Sequence, residues 1–218
     1  MRARPISPEA LEARLGDRVA GQAPGAWLRV GVDGAPPARP DALAGAVAER
    51  VRLLGRPVLR LRASDYLRPA SLRFERGRTN PDAYYDDWID YAAINREALA
   101  PLSAGGSGLV RVVHREPDTD RASRSPRVAL PPGGVLILSG AMLLGAGLAL
   151  DLVVHLAVSG AALVRRMPAD LAWAIPAFER YAVEVSPTLQ ADWVVLLDDP
   201  RHPAILDQTV IRDVPDDQ

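Results

Sequence analysis

A strand, a turn rich in glycine and proline, and a helix succeed one another between Trp27 and Leu54, in WLRVGVDGAPPARPDALAGAVAERVRLL. A chain that binds nucleotide phosphates carries G-x-x-x-x-G-K-[ST] at such a junction: backbone N–H groups and the lysine face the phosphates, and the hydroxyl holds Mg²⁺. Gly34 supplies the first glycine. The last three positions hold Arg39, Pro40 and Asp41. Pro36, Pro37 and Pro40 each lack the N–H that such a loop spends on phosphate. A carboxylate about 5 Å from a phosphate charge costs roughly 3 kcal/mol at an effective dielectric of about 20. The frame of the motif is present without its donors, so the loop is expected not to cradle a triphosphate. Asp41 has three open roles: a repelling charge, a cap on the following helix, or a metal ligand. Arg39 lies one residue before the lysine position and is the candidate substitute cation.

A second group of residues follows the next strand. Asp65 sits where active-site loops of parallel sheets cluster, and it is either a general base or a turn-forming residue. Arg73, Arg76 and Arg78 stand near Tyr84 and Tyr85. Arginine grips phosphate and aromatic rings stack on a base, while the plainer alternative is a solvated face with core aromatics. Asp82, Asp86, Asp87 and Asp90 fall at helical spacing, which favours a charge-paired face over a metal site. His114, His155 and His202 lack metal-ligand spacing, and His155 lies within an apolar strand as a core histidine.

These residues need a scaffold. The 218 residues, 48% apolar, suffice for one α/β domain with a substantial core. The net charge of −1 points away from general nucleic-acid binding. Cysteine is absent, which removes disulfides, thiolate metal sites and a cysteine nucleophile. All 26 basic Lys+Arg residues are arginine, so no lysine elsewhere can serve the phosphate loop. MRARPISPEAL lacks the apolar run of a signal peptide, and a cytoplasmic location is expected. The apolar stretch Gly134 to Gly160 is interrupted by Asp151, His155 and glycines, which suits two core strands better than a membrane span.

Ser7 and Pro8 open a helix to Ala20. Strands are expected over Trp27–Asp33, Pro57–Ala63, Val135–Leu138, Leu152–Val158 and Asp192–Leu197, the first near the sheet centre. Helices are expected over Asp41–Leu54, from Pro81 to about Leu99, and over Ser159–Val183 with a break at Pro168. Leu109–His114 and Arg127–Leu130 suggest a small hairpin or lid. The alternation implies a parallel sheet with right-handed crossovers. The expected organisation is an N-terminal helix and linker over 1–24, an α/β domain over 25–200 and a polar tail over 201–218.

The order and spacing of VGVDG at 30–34, RASDYLRP at 62–69, RGRTNPDAYYDDWIDY at 76–91, VLILSG at 135–140, LVRRMPAD at 163–170 and ADWVVLLDDP at 191–200 resemble the uridine kinase family of P-loop phosphotransferases, in its divergent actinobacterial-type members. The resemblance implies a P-loop NTPase-like three-layer fold, a mostly parallel sheet of five or so strands, and a nucleoside acceptor with Mg-ATP as donor if the chain is active. Gly34 would open the phosphate loop, Arg73 to Tyr85 would line the nucleoside pocket, and Arg165 and Arg166 would be lid arginines. The chain departs from the family at the loop, at the acidic base position (Ser64, with Asp65 one place along) and at Ser139, where the third core strand would close on an acid. The alternatives are therefore a phosphotransferase with an altered phosphate site, a non-catalytic nucleoside- or nucleotide-binding protein, and a partner-binding scaffold. No metal site is expected.

Overall fold

The computed structural model describes residues 2–116 and 119–207. Seven strands form the main sheet: β1 (Arg2–Pro5), β2 (Leu28–Gly34), β3 (Val58–Arg62), β4 (Val135–Gly140), β5 (Leu152–Ala157), β6 (Trp193–Leu196) and β7 (Ala204–Asp207). Their spatial order is β1-β7-β6-β5-β2-β4-β3. The five strands from β6 to β3 run parallel, whereas β7 pairs antiparallel with β6 and with β1. The interior position expected for the first core strand is borne out, since β2 lies between β5 and β4. Its burial along LRVGVDG is almost continuous. A central strand covered on both faces needs that composition.

Alternate side chains of β4 feed two cores. Val135 and Ile137 pack with Leu15 and Val19 of α1 (Pro8–Gly21) and with Val47 and Val51 of α2 (Pro40–Leu53). Leu136 and Leu138 pack on the opposite face with Tyr66, Ile94, Leu99 and Val110. Each such fully buried aliphatic side chain stabilises the fold by about 1.5–3 kcal/mol. Ser7 caps α1, its side chain accepting from Ala10 N at 3.2 Å, as its sequence position implies. A third cluster lies beyond the strand ends. It joins Met142, Leu163 and Met167 to Phe178 and Tyr181, under α4 (Gly160–Arg166) and α5 (Ile175–Glu184).

Three expectations are corrected. The helix from Pro81 to about Leu99 is not continuous. It is α3 (Pro81–Asp86), a break at 87–90, a helical turn over Tyr91–Ile94 and a π-helical turn over Asn95–Leu99. Ile89 bridges to Leu67 in the break, and Asp90 recaps the chain by accepting from Ala93 N at 2.8 Å. The stretch Ala169–Ala174 is a 3₁₀ segment where regular helix is expected. The flanks of the central stretch are not separate from its sheet, because β1 and β7 extend it. Of the expected polar tail, residues 208–218 lie outside the described residues. The expected hairpin is present, as Leu109–Val110 pairs with Val128–Ala129 and Arg115–Glu116 with Arg121–Ala122. Among the described residues, no helix is long and apolar enough to cross a membrane.

Candidate functional site

The site begins where β2 ends. Gly34 tolerates no side chain there, since a Cβ would lie 2.9 Å from the Leu156 Cβ and 3.3 Å from the Ala38 Cβ. The chain then closes into a 3₁₀ turn over Pro36–Ala38. Ala38 N donates to Ala35 O at 2.8 Å and Arg39 N to Pro36 O at 3.0 Å. Prolines occupy positions 36, 37 and 40, so the N–H groups at 38 and 39 are the turn's own, and both are spent inside it. Arg39 adopts a left-handed conformation (φ 55°, ψ 54°), which costs a non-glycine residue about 1 kcal/mol or more. Its exposed side chain points into solvent rather than standing in for a buried lysine.

One carbonyl oxygen of the loop is engaged by a cation from the protein itself. The Arg166 guanidinium donates to Pro37 O, and also to Leu197 O and Asp198 O past the end of β6. It thereby ties α4 to the loop through main-chain oxygens. Arg165, its neighbour, is exposed. The turn therefore meets a cation with the Pro37 carbonyl and keeps the Ala38 and Arg39 N–H groups to itself, where a phosphate-binding loop presents donors.

Asp41 does not cap α2; that position belongs to Arg39, without a side-chain bond. The Asp41 carboxylate instead accepts from Arg60 Nη2 at 2.8 Å and from Ser139 Oγ at 3.1 Å. Arg60 reaches it from β3 and Ser139 from β4, the strand beside it. Asp65 is buried and is likewise committed. Its carboxylate accepts from the Arg62 guanidinium (2.9 and 3.2 Å) and from Arg62 N (3.3 Å), closing the short 3₁₀ turn Ala63–Tyr66. The hydrogen bonds it donates to Asp65 hold the Arg62 guanidinium more firmly charged than usual.

A cavity of about 220 Å³ opens at the carboxyl ends of β2, β3 and β4. Pro36, Pro40 and Asp41 form part of its wall, Ser139 to Met142 another, and Tyr84, Trp88 and Tyr91 a third. Among the described residues the lining includes Gly34, Arg62, Ser64 and Tyr84, but not Asp65, Arg73, Arg78 or Tyr85. Tyr84 packs into an aromatic group with Trp88 (5.1 Å), Trp173 (5.5 Å) and Phe178 (5.9 Å), and burial raises its phenol above the usual range. Tyr85 turns the other way, under the Arg180 guanidinium at 4.2 Å. Arg73 is buried against Phe74 and Trp88 and donates to Arg68 O and Asp120, while Arg78 lies over Phe74. The structure thus brings Gly34, Asp41 and Tyr84 together at the cavity. It uses Arg73, Arg78 and Tyr85 in packing around it.

The acidic residues of this segment bind arginines. Asp87 accepts from Arg68 and Arg76, Asp86 and Asp82 face Arg180, and hydrogen bonding from Arg76 lowers the Asp87 carboxyl. Among the described residues no group of three or more His, Asp or Glu side chains is placed to hold a metal ion.

One fully buried and satisfied polar group has partners that sequence reasoning did not supply. Asp33, the residue before Gly34, is 0% exposed. Its Oδ2 lies 2.6 Å from His155 Nδ1 and accepts from Tyr181 OH at 2.9 Å, while Oδ1 accepts from Leu143 N at 2.9 Å. Tyr181 OH in turn accepts from Leu144 N at 3.1 Å. Burial and the Asp33 charge push the Tyr181 phenol far above the usual range. His155 is thus a core histidine with a named partner. The signal was present in sequence as two polar residues, Asp33 near the end of one mostly apolar strand and His155 within another.

At the sequence level, no family model and no curated protein matches the chain. Solved structures do. A possible uridine kinase from Bacillus stearothermophilus aligns at a TM-score of 0.69 and 19% identity, over 84% of this chain and 96% of that one. A candidate fructose transport system kinase from Silicibacter sp. TM1040 aligns at 0.58 and 20% identity, over 80% and 95%. The YGR205w protein aligns at 0.50 and 8% identity, over 93% and 100%. The resemblance read from the sequence agrees with these neighbours, and the chain has the mostly parallel, helix-flanked α/β fold of a P-loop kinase.

Proposed function

We propose that this chain is a non-catalytic binding protein on a P-loop kinase fold, taking a nucleoside-class ligand in the cavity beside Gly34. The observation that carries the reading is the closed turn at 36–38, whose N–H groups are either absent or spent internally. Mg-ATP would be the cofactor of an active kinase, and the residues present do not fit it. The loop offers no lysine, Asp41 replaces the Mg²⁺-binding hydroxyl, and Arg166 is bound to the loop's own carbonyl. The candidate base Asp65 is paired to Arg62 instead of lining the cavity. A phosphotransferase needs those groups to act on transferring phosphate.

What remains supports binding. The cavity combines aromatic faces from Tyr84, Trp88 and Tyr91 with hydroxyl and carboxylate groups from Ser64, Ser139 and Asp41. A mostly apolar pocket with a few convergent polar groups suits a small, partly aromatic polar molecule. The uridine kinase assignment of a structural neighbour supports the nucleoside class. Nucleic acid and membrane are not its expected partners, and a cytoplasmic location accords with the absence of cysteine.

Calorimetric titration with a ribonucleoside panel tests the reading. Saturable binding of a nucleoside is expected, weakened by about 1–3 kcal/mol in Tyr84→Ala, the scale of one base–aromatic stack. Tyr85→Ala, by contrast, should leave affinity close to wild type. Absence of nucleoside binding would replace this reading with that of a partner-binding scaffold.

A further inference from the structure

Asp41 is held by two neighbours and is nevertheless open to the cavity. Arg60 Nη2 donates to its Oδ1 at 2.8 Å and to its main-chain oxygen at 3.0 Å. Ser139, 2% exposed, places its hydroxyl 3.1 Å from the same carboxylate oxygen and 3.3 Å from Leu61 O. The Asp41 side chain stays 53% exposed, and Asp41 and Ser139 both line the cavity with Tyr84 and Trp88. The carboxylate is thus positioned with hydrogen-bonding capacity to spare.

An ionised carboxylate only accepts hydrogen bonds. A ligand hydroxyl can donate to it. A phosphate monoester brings further acceptors and like charge, and so meets it with nothing to donate. Arg60 offsets this only in part, because the guanidinium nitrogen nearest the carboxylate is shared between two Asp41 oxygens. The adjoining wall is Pro36 and Pro40, which have no N–H to give, and the Arg62 guanidinium, which also lines the cavity, is already paired with the Asp65 carboxylate at 2.9 and 3.2 Å.

We infer that Asp41 is a specificity-determining residue that reads a ligand hydroxyl and rejects a phosphate, so that the cavity selects an unphosphorylated nucleoside over its 5′-monophosphate. Arg60 and Ser139 act as positioning residues for that carboxylate. The inference rests on the nucleoside reading above and adds to it the exclusion of phosphorylated ligands.

The test is titration of the full chain with ribonucleosides and with their 5′-monophosphates at one ionic strength. The best nucleoside should bind roughly tenfold or more tightly than its monophosphate. Asp41→Asn should bring that ratio down severalfold, and Asp41→Ser, which removes the charge with a smaller side chain, should do the same if the asparagine variant folds poorly. The wild-type ratio requires no variant. A monophosphate that binds as tightly as the nucleoside overturns the inference and leaves the nucleoside reading standing. A ratio unchanged in both folded variants overturns the assignment to Asp41. Absence of binding by any nucleoside overturns the inference and the nucleoside reading together.

Discussion

Asp33 and Gly34 are neighbours in the chain and belong to opposite regimes. At Asp33, itself 0% exposed, every polar group turns inward: two carboxylate oxygens, a buried histidine, a buried phenol and a backbone N–H satisfy one another. From Gly34 to Asp41 the chain bends into a proline-rich turn whose Arg39 and Asp41 side chains are exposed, spends the Ala38 and Arg39 N–H groups inside that turn and offers the Pro37 carbonyl oxygen to Arg166. The contrast teaches where the constraints of this fold reside. The buried side must satisfy every hydrogen bond, since an unpaired group there costs about 1–3 kcal/mol. The exposed Arg39 and Asp41 side chains have no such obligation, and prolines and an aspartate can occupy the turn after β2 while the sheet beneath it stays whole.

Breaking the inward side should have the largest effect. Asp33→Ala removes the shared partner of His155, Tyr181 and Leu143 N. It should destabilise the fold by about 3–5 kcal/mol, read by urea unfolding. A loss under about 1 kcal/mol would mean that the network relaxes and that the two regions differ less than the geometry implies.

The proline-rich turn should yield less. Arg166→Ala deprives three main-chain oxygens of their donor and frees the loop from α4. A loss of about 1.5–3 kcal/mol is expected for hydrogen bonds from a charged group, accompanied by faster hydrogen exchange around residues 35–42. An equal loss in Asp33→Ala and Arg166→Ala would erase the distinction.

Tyr181→Phe separates the members of the inward network. It deletes one bond to Asp33 and one from Leu144 N while keeping the ring in place. About 1–2 kcal/mol should be lost, measured by thermal or urea unfolding.

The last prediction concerns pH dependence. The Tyr181, Tyr91 and Tyr66 phenols are all raised above their ordinary value of 10.0, burial being the largest cause for each. The unfolded chain therefore releases these protons first. Stability from the three phenols is fully present below pH 10.0 and is lost as pH rises beyond it. Tyr181→Phe should blunt that alkaline decline. A decline of unchanged steepness would place its source outside the network.

Much of the scaffold was legible because local signals and tertiary context agree there. The apolar run at β2, the turn residues after it, the Ser7 cap and the Leu109–Leu130 hairpin all follow from residue type and period. Strands β1 and β7 were not, because RARP is short, polar and proline-ended, and AILD gains its meaning only from pairing with β6 and β1. The break at 87–90 was hidden by a helical charge pattern, whose aspartates in fact serve Arg68, Arg76 and a recapping turn. In the site, the scarcity of N–H donors from Pro36 to Pro40 was visible residue by residue. The partners were not: Asp33 meets His155 because β2 lies beside β5 in register, and Asp41 meets Arg60 and Ser139 because β3 and β4 end beside α2. Those contacts are set by strand order, which spacing along the chain does not contain. Tyr84 and Tyr85 show the same limit at finer scale, since one residue of helix rotation sends one ring to the cavity and the other to Arg180.

The central claim is that the loop from Gly34 to Asp41 does not hold a triphosphate, on a fold shared with kinase structures. Titration of the folded chain with Mg-ATP tests it most directly. The account predicts no saturable binding into the millimolar range, in wild type and in Arg39→Ala alike. Micromolar Mg-ATP affinity that disappears in Arg39→Ala would contradict it, and would make that exposed arginine the cation that replaced the lysine.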